Sequence, residues 1–482
     1  MHLAIIPQLI GPLQALWAAV AQLVPYIAGL VAGALGLGVW RHRIKGLGLA
    51  RGRRRFAVLA ALCIAAGAVA MIVVSRRRAG PGRATTAAPA AAQRTVTPQC
   101  GVWDVFRGNS GRTGNADGLR GPRRARILWS YTDEDNALTD FSSSPAVSGG
   151  RLFVGSASAN VFRRDGAVRC LDITTGARLW HVPTEQQVFS SPCVAAGRVY
   201  VGEGLHQDAG SALRCLDART GAVLWVFPTA SHVESSPAVR DGRVYFGAGD
   251  DGLYCADAKT GEKVWNVDGY HVDAGPVVAR GLVFVGSGYG TKSFLAVDAR
   301  DGRIAWKRTI PASAWGHPAV HSNAVYFAVS NVSLNQRNAT PSGVVFRVDA
   351  DSGQERWRVS LPDGISAAIA VDSGQVFVAC WDRHLYCLAE TDGELLWKTG
   401  LDAKLYGAPA LDDECVFQVT MAGRIVCLDR ASGKTVWALD VDESGDTRIL
   451  ASPALAGGRL YVGTSRNQVL CIGEGRATAT SQ

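Results

Sequence analysis

The sequence predicts an all-β fold, an eight-bladed β-propeller of four-stranded blades, closed by an N-terminal strand and preceded by one or two transmembrane α-helices. Three observations predict it. A unit of the form Asp-x3-Gly-x3-Trp recurs at Asp172/Gly176/Trp180, Asp217/Gly221/Trp225, Asp257/Gly261/Trp265, Asp298/Gly302/Trp306, Asp349/Gly353/Trp357 and Asp429/Gly433/Trp437, with Gly393/Trp397 as a further copy that has Ala389 in the Asp place. From Trp180 onward the tryptophans stand 45, 40, 41, 51, 40 and 40 residues apart, the length of one four-stranded blade. The two ends of the repeat region are incomplete in complementary ways.

In chain order, the first element is apolar. Leu3 to Trp40 is almost free of polar residues, though Pro7, Pro12 and Pro25 interrupt it, and Phe56 to Val74 carries no charge. A helix needs about 20 apolar residues to cross the hydrocarbon core. Spanning helices are therefore expected at about 20–40 and 56–74, joined by a basic loop at 41–55, with residues 1–78 as the membrane anchor. A cleaved signal peptide fits poorly, because its charged region should precede the apolar run and here follows it. Seven basic residues between Arg41 and Arg55 mark the loop as cytoplasmic. That orientation places the remainder on the periplasmic side of an inner membrane, although Arg76, Arg77 and Arg78 put charge on the far side too. Residues 79–98, rich in Ala, Pro and Thr, read as a flexible linker, residues 99–473 as the propeller and 474–482 as a disordered tail.

Within the propeller each repeat follows one script. Blade 3 has Ser236-Pro237-Ala238-Val239, a Gly242-Arg243 turn, the alternating stretch Val244-Tyr245-Phe246-Gly247, and Leu253-Tyr254-Cys255-Ala256 leading into Asp257. Period-two alternation bounded by Gly and Asp turns is the pattern of half-buried antiparallel strands. In the turn from Asp257 to Gly261, Asp caps local amides and Gly accepts a positive φ. The tryptophan that follows is expected to lie as an apolar plate against the next blade. The last copy ends at Val469-Leu470-Cys471-Ile472 without a tryptophan strand, whereas Arg126-Ile127-Leu128-Trp129-Ser130-Tyr131 is a tryptophan strand without a blade. Joining them gives eight blades with structural tryptophans at 129, 180, 225, 265, 306, 357, 397 and 437, and removes the open sheet edges.

Charge separates the two regions. The chain carries a formal net charge of +9, but its first hundred residues hold twelve Lys and Arg and no Asp or Glu, leaving −3 on the rest. A basic total would suggest nucleic acid; a mildly acidic body does not, and no nucleic-acid partner is expected.

The Asp-x-x-Thr/Ser-Gly-x-x-x-Trp units and Ser-Pro-Ala-Val strands resemble the repeats of the pyrroloquinoline-quinone-like propeller superfamily. The segment from Trp103 through Phe106, Arg107 and Asn109 to Arg112-Thr113-Gly114 resembles the lead-in of BamB-like propellers. The resemblance covers roughly 101–473 and implies a non-catalytic protein-interaction scaffold at the cell envelope, engaging an unidentified protein partner; the apolar stretches add the expectation that it is anchored by membrane helices. BamB-like proteins are usually lipoproteins; here Leu62 precedes Cys63, where a lipobox needs a small residue. A propeller hosts many functions, so two alternatives stand beside the scaffold. The first is a quinoprotein oxidoreductase, implied by superfamily members that hold pyrroloquinoline quinone over calcium between an adjacent Cys-Cys pair and a tryptophan. No two cysteines are adjacent in this sequence, so no cofactor is expected. The second is a small-ligand sensor working through the propeller funnel.

The residues before the Ser-Pro strands are expected to line that funnel: Asp140, Gln187, His232 with Glu234, His271 with Asp273, Trp315 with His317, Lys404 with Tyr406, and Arg448. Polar side chains of mixed sign converging on an axis suit a peptide or small ligand. No catalytic or metal-ligating residue is assigned. Six of the eleven cysteines (Cys170, Cys215, Cys255, Cys387, Cys427 and Cys471) share one slot two residues before the repeat Asp or its replacement; they read as small core residues in separate blades, too far apart to bridge. A two-residue turn at Asp382-Arg383 would pair Cys380 with Leu385. Gly286 to Ser293 comes close to a phosphate-binding loop but lacks a following helix, and reads as a hairpin loop. The longer loops at 156–168, 203–212 and 331–343 all fall between second and third strands and should emerge on one side.

Overall fold

A computed structural model describes residues 103–474 except 116–119, 160–162, 207, 209, 333–337 and 443. The expected helices at about 20–40 and 56–74, the basic loop, the linker and residues 475–482 lie outside the described residues. Among the described residues no helix is long and apolar enough to cross a membrane.

Eight antiparallel sheets form the propeller. Seven blades follow in chain order at 146–184, 193–228, 238–267, 277–309, 319–361, 370–400 and 410–440, each built from the innermost strand outward. The eighth takes Ala454–Ala456, Arg459–Gly463 and Gln468–Gly473 from the end of the chain and its outer strand, Arg126–Thr132, from the beginning. Trp129 pairs with Cys471 and Thr132 with Gln468. The closure expected from the incomplete ends is therefore the one observed.

The repeat residues explain how neighbouring blades adhere. Each tryptophan donates its Nε1–H to a backbone carbonyl beyond its own blade. Trp129 reaches Ile173, Trp180 Ala218, Trp225 Ala258, Trp265 Ala299, Trp306 Ala350, Trp357 Glu390 and Trp397 Arg430, at 2.9 to 3.3 Å. The eighth blade has no Asp turn, and there Trp437 donates to Pro122 O at 2.9 Å. The turn glycine of the next repeat lies directly under the ring: a Cβ on Gly433 would sit 2.5 Å from Trp397, and Gly433 has φ +69°. The repeat thus needs glycine for two reasons, its left-handed backbone and the ring above it.

The cysteine slot also has a reason. Cys170, Cys215, Cys255, Cys387, Cys427 and Cys471 are each the cross-strand partner of a repeat tryptophan, and all six are fully buried and free. A small apolar residue opposite a large plate fills the layer without overpacking it. The expected pairing of Cys380 with Leu385 is corrected: Leu385 faces Ala379, and Cys380 donates its N–H across a wider turn to His384 O at 3.1 Å. The turn spans Trp381, Asp382 and Arg383, with Arg383 at φ +72°, the three-residue hairpin that ends in a left-handed residue. Gly286 to Ser293 joins two strands of blade 4, as a hairpin loop should.

Toward the axis, the Ser-Pro strands are linked by hydroxyls. Ser143 donates to Ser190 O and Ser190 to Ser235 O, both at 2.9 Å, while the hydroxyls of Ser144, Ser191 and Ser236 accept from the backbone N–H groups of Ser452, Ser144 and Ser191 respectively, in a parallel series. The lead-in segment then crosses the hub. Trp103 exchanges two backbone bonds with Val147; Asp104 O accepts from Val194, Gly111 O from Val320, Thr113 O from Val371 and Gly114 O from Leu411. These acceptors and donors belong to the innermost strands of blades 1, 2, 5, 6 and 7. The segment contacts the Ala-Val positions, downstream of the Ser-Pro dipeptides, and so closes the end of the channel opposite the residues that precede those dipeptides.

Two arginines come with it. Arg107 and Arg112 are each 1% exposed. Arg107 donates to Pro409 O, and Arg112 Nη2 donates to Ser236 O at 2.8 Å and Pro237 O at 3.0 Å. Burial lowers both guanidinium pKa values, Arg107 to about 9 and Arg112 to about 10, because desolvation disfavours the charged form.

Candidate functional site at the funnel mouth

The open end of the channel is built from two kinds of segment: the residues that lead into innermost strands, and the loops joining second to third strands. Antiparallel pairing puts both at the same end of every blade. The loops at 203–211, 248–252 and 287–292 therefore stand beside the lead-in residues of the following blades.

Four side chains converge there. His232 Nε2 lies 2.8 Å from Asp273 Oδ1, and His271 Nε2 lies 2.9 Å from Asp273 Oδ2, so one carboxylate spans two imidazoles. His271 Nδ1 is held at 2.6 Å by Asp250 Oδ1, and His232 Nδ1 at 3.2 Å by Ser231 Oγ. The ring of His206, from the blade 2 loop, stands 5.2 Å from His232 and 5.3 Å from His271, and its Nδ1 is buried without a partner among the described residues. The His206 backbone N–H donates to Glu234 Oε1, fixing the loop over the cluster. Tyr289 covers the outer side, 4.8 Å from His206 and 5.2 Å from His271, and Trp315 packs on Tyr289 at 4.8 Å.

The electrostatics follow from burial and pairing. His232 and His271 are 1% and 6% exposed. Burial works against charge on both rings, but the bonds and charge of Asp273 outweigh it; His232 is raised and His271 reaches about 9. Burial likewise opposes charge on Asp273, yet bonds from the two histidines hold its pKa far below the usual carboxylate range. His206 moves the other way, lowered mainly by burial. Burial and the neighbouring Asp273 push Glu234 up to about 7, and burial with Glu234 pushes Tyr406 up to about 12.

This gives a linkage prediction. His271 has a folded pKa near 9 against an ordinary 6.5. Its contribution to stability is fully present below pH 6.5 and is lost as pH rises through 9, because above 6.5 the native state binds the extra proton. In chelator-treated protein, urea midpoints are expected to fall across that interval, and His271→Asn to flatten the fall.

The other expected funnel residues divide. Lys404 Nζ sits 4.7 Å above Trp381, and Tyr406 lies 6.3 Å from the same ring. His317 points down to the hub, its ring 4.5 Å from Phe106; burial, with Arg112 and Arg107 nearby, lowers its pKa well below the ordinary value. Gln187 ties strands together by donating to Ser158 O at 3.0 Å, Asp140 accepts from Ser142 Oγ at 2.5 Å, and Arg448 is exposed, with its backbone N–H on Ser465 Oγ at 3.0 Å. His206, Asp250 and Tyr289 were not among the expected residues. Their only signal in the sequence is position: each lies in a second-to-third-strand loop, at the same end of the blades as the lead-in residues it meets.

A family model described as outer membrane protein assembly factor BamB matches residues 164–274 and 341–479. Over 144 residues the chain is 33% identical to the dehydrogenase subunit of a quinone alcohol dehydrogenase from Acetobacter aceti, a match covering 26% of this chain and 18% of that protein; the chain thus spans less than a fifth of that relative's length. Among solved structures, BamB from Moraxella catarrhalis superposes with a TM-score of 0.58 at 17% identity, covering 73% of this chain and 99% of that one. Quinohemoprotein alcohol dehydrogenase from Comamonas testosteroni gives 0.59 at 15% identity, covering 79% and 82%. At such identities the likeness carries the fold.

Proposed function

Because the chain belongs to the pyrroloquinoline-quinone-like propeller family described as outer membrane protein assembly factor BamB, we propose that it is a membrane-anchored, non-catalytic scaffold that binds a protein partner at the cell envelope. In this reading the apolar stretches at about 20–40 and 56–74 hold it in the inner membrane, with the propeller on the periplasmic side. The observation that carries the reading is the crown of loops around the mouth. The connections at 159–165, 203–211 and 331–342 are the longest between second and third strands, and the strand ends that they join all stand at one end of the propeller. Loops displayed from a rigid scaffold are where partners bind. The acidic body gives no reason to expect nucleic acid.

A second reading, a quinone-dependent oxidoreductase, draws on the partial match to the Acetobacter aceti dehydrogenase subunit. The chemistry of the mouth does not fit a quinone over calcium: its converging donors are three imidazoles and one carboxylate, whereas calcium takes oxygen ligands. All nine described cysteines are buried inside blades.

Cross-linking in intact membranes followed by mass spectrometry tests the scaffold. One partner is expected at stoichiometric yield, lost when the 203–211 and 331–342 loops are shortened and retained in His232→Ala. Saturable binding of pyrroloquinoline quinone with calcium, together with dye-linked alcohol oxidation, would replace this reading with the second.

A further inference from the structure

The geometry points to a single divalent transition-metal ion of the zinc class, held at the funnel mouth by His206, His232, His271 and Asp273. Their ligand atoms all lie within 4.8 Å of one another. A tetrahedral ion with bonds of about 2.0–2.1 Å needs edges of about 3.4 Å, and the histidine–Asp273 separations of 2.8 and 2.9 Å are already inside that length. The wider separations in the cluster, up to 4.8 Å, must close by about 1.4 Å to reach that edge, with the His206 ring carried by the loop that Glu234 holds over the cluster.

The second layer is that of a metal site. A ligating imidazole characteristically donates its other N–H to a carboxylate or another oxygen, which fixes the tautomer and turns the free lone pair toward the ion. Asp250 does this for His271 Nδ1, and Ser231 Oγ is placed to do it for His232 Nδ1. Both Nε2 atoms then face the shared Asp273. The third ring brings a buried Nδ1 that no group among the described residues satisfies, a costly state unless a ligand relieves it. Asp273, Asp250 and Glu234 surround the position with carboxylates that offset a double positive charge. The donor set, three imidazoles and one carboxylate, selects zinc, copper or nickel over calcium or magnesium.

The ligands come from three blades. His206 belongs to blade 2, while His232 and His271 lead into the innermost strands of blades 3 and 4. A bound ion would therefore staple three neighbouring blades where the loop crown begins. This inference does not depend on the scaffold reading, since the ion is held whether or not a partner docks above it.

The test uses the full 482-residue chain without a polyhistidine tag, stripped with chelator and dialysed. Zinc chloride is titrated by calorimetry, and stoichiometry is read by native mass spectrometry. One ion per chain is expected, with a rise in melting temperature on loading. His206→Ala is expected to weaken binding at least tenfold while leaving the melting temperature of the metal-free protein unchanged, and Asp273→Asn to abolish binding. No saturable uptake up to about 100 µM zinc, equal binding by wild type and His206→Ala, or a preference for calcium over zinc would each overturn the assignment.

Discussion

Replacing Gly275 by valine is expected to destabilise the propeller by at least about 3 kcal/mol, the upper range for overpacking a filled core, as read from urea midpoints at neutral pH. Gly275 is buried where blades 3 and 4 meet the hub. A Cβ there would lie 2.4 Å from His317 Cδ2, 2.5 Å from Arg112 Nη1 and 2.5 Å from Ser236 O. The backbone carbonyl cannot step aside, because it also accepts from Arg112, whose guanidinium has no room to retreat within the closed floor. Serine occupies this place in Ser236-Pro237 and Ser452-Pro453, so Gly275→Ser restores the repeat consensus. It too is expected to destabilise, by about 1–3 kcal/mol, against the usual direction of consensus substitutions.

Trp265→Ala should cost about 3–5 kcal/mol, the range for truncating a buried aromatic to alanine. Trp265 is 8% exposed. It packs on Tyr245 at 5.8 Å and donates to Ala299 O at 3.2 Å, and its removal opens a void above Gly302 in the next blade. The loss belongs to an interface between blades, so thermal unfolding should remain cooperative while its midpoint drops. A Trp265→Phe variant keeps the plate and loses the N–H, and should recover most of the stability.

The blade count, the order of strands and the closure were legible in the sequence because each depends on short-range chemistry repeated many times. An Asp turn, a glycine under a ring and a small residue opposite a tryptophan recur at near-constant spacing, so each copy corroborates the others. The turn at Trp381 to Arg383 was misread by one residue, since a non-glycine residue in the left-handed region leaves no mark that distinguishes a three-residue hairpin from a two-residue one. The mouth was legible in part. His232, Glu234, His271 and Asp273 sit at a fixed offset before each innermost strand and could be placed by counting. His206 comes from a loop whose reach is set by its own internal bonds, such as Leu205 N–H to Asp208 Oδ2 at 2.9 Å, and those follow no repeat. The crossing of the hub by the lead-in was equally hidden, because its bonds to five blades are made by backbone atoms that any sequence possesses.

The closure of the eighth blade has a consequence in time. The strand Arg126–Thr132 pairs only with Gln468–Gly473, so the stretch synthesised first among the strands is the last to find its partner. Blades made of consecutive hairpins can form as the chain lengthens, whereas this contact must wait for some 340 intervening residues and carries the slow, long-range step expected of such topologies. Until then the nascent ring is an open arc with an unpaired edge at each end, the state most exposed to association with another chain. Completion of the final strand therefore acts as a checkpoint on maturation: a chain truncated anywhere before Gln468 remains an arc, with Arg126–Thr132 left as an adhesive flap.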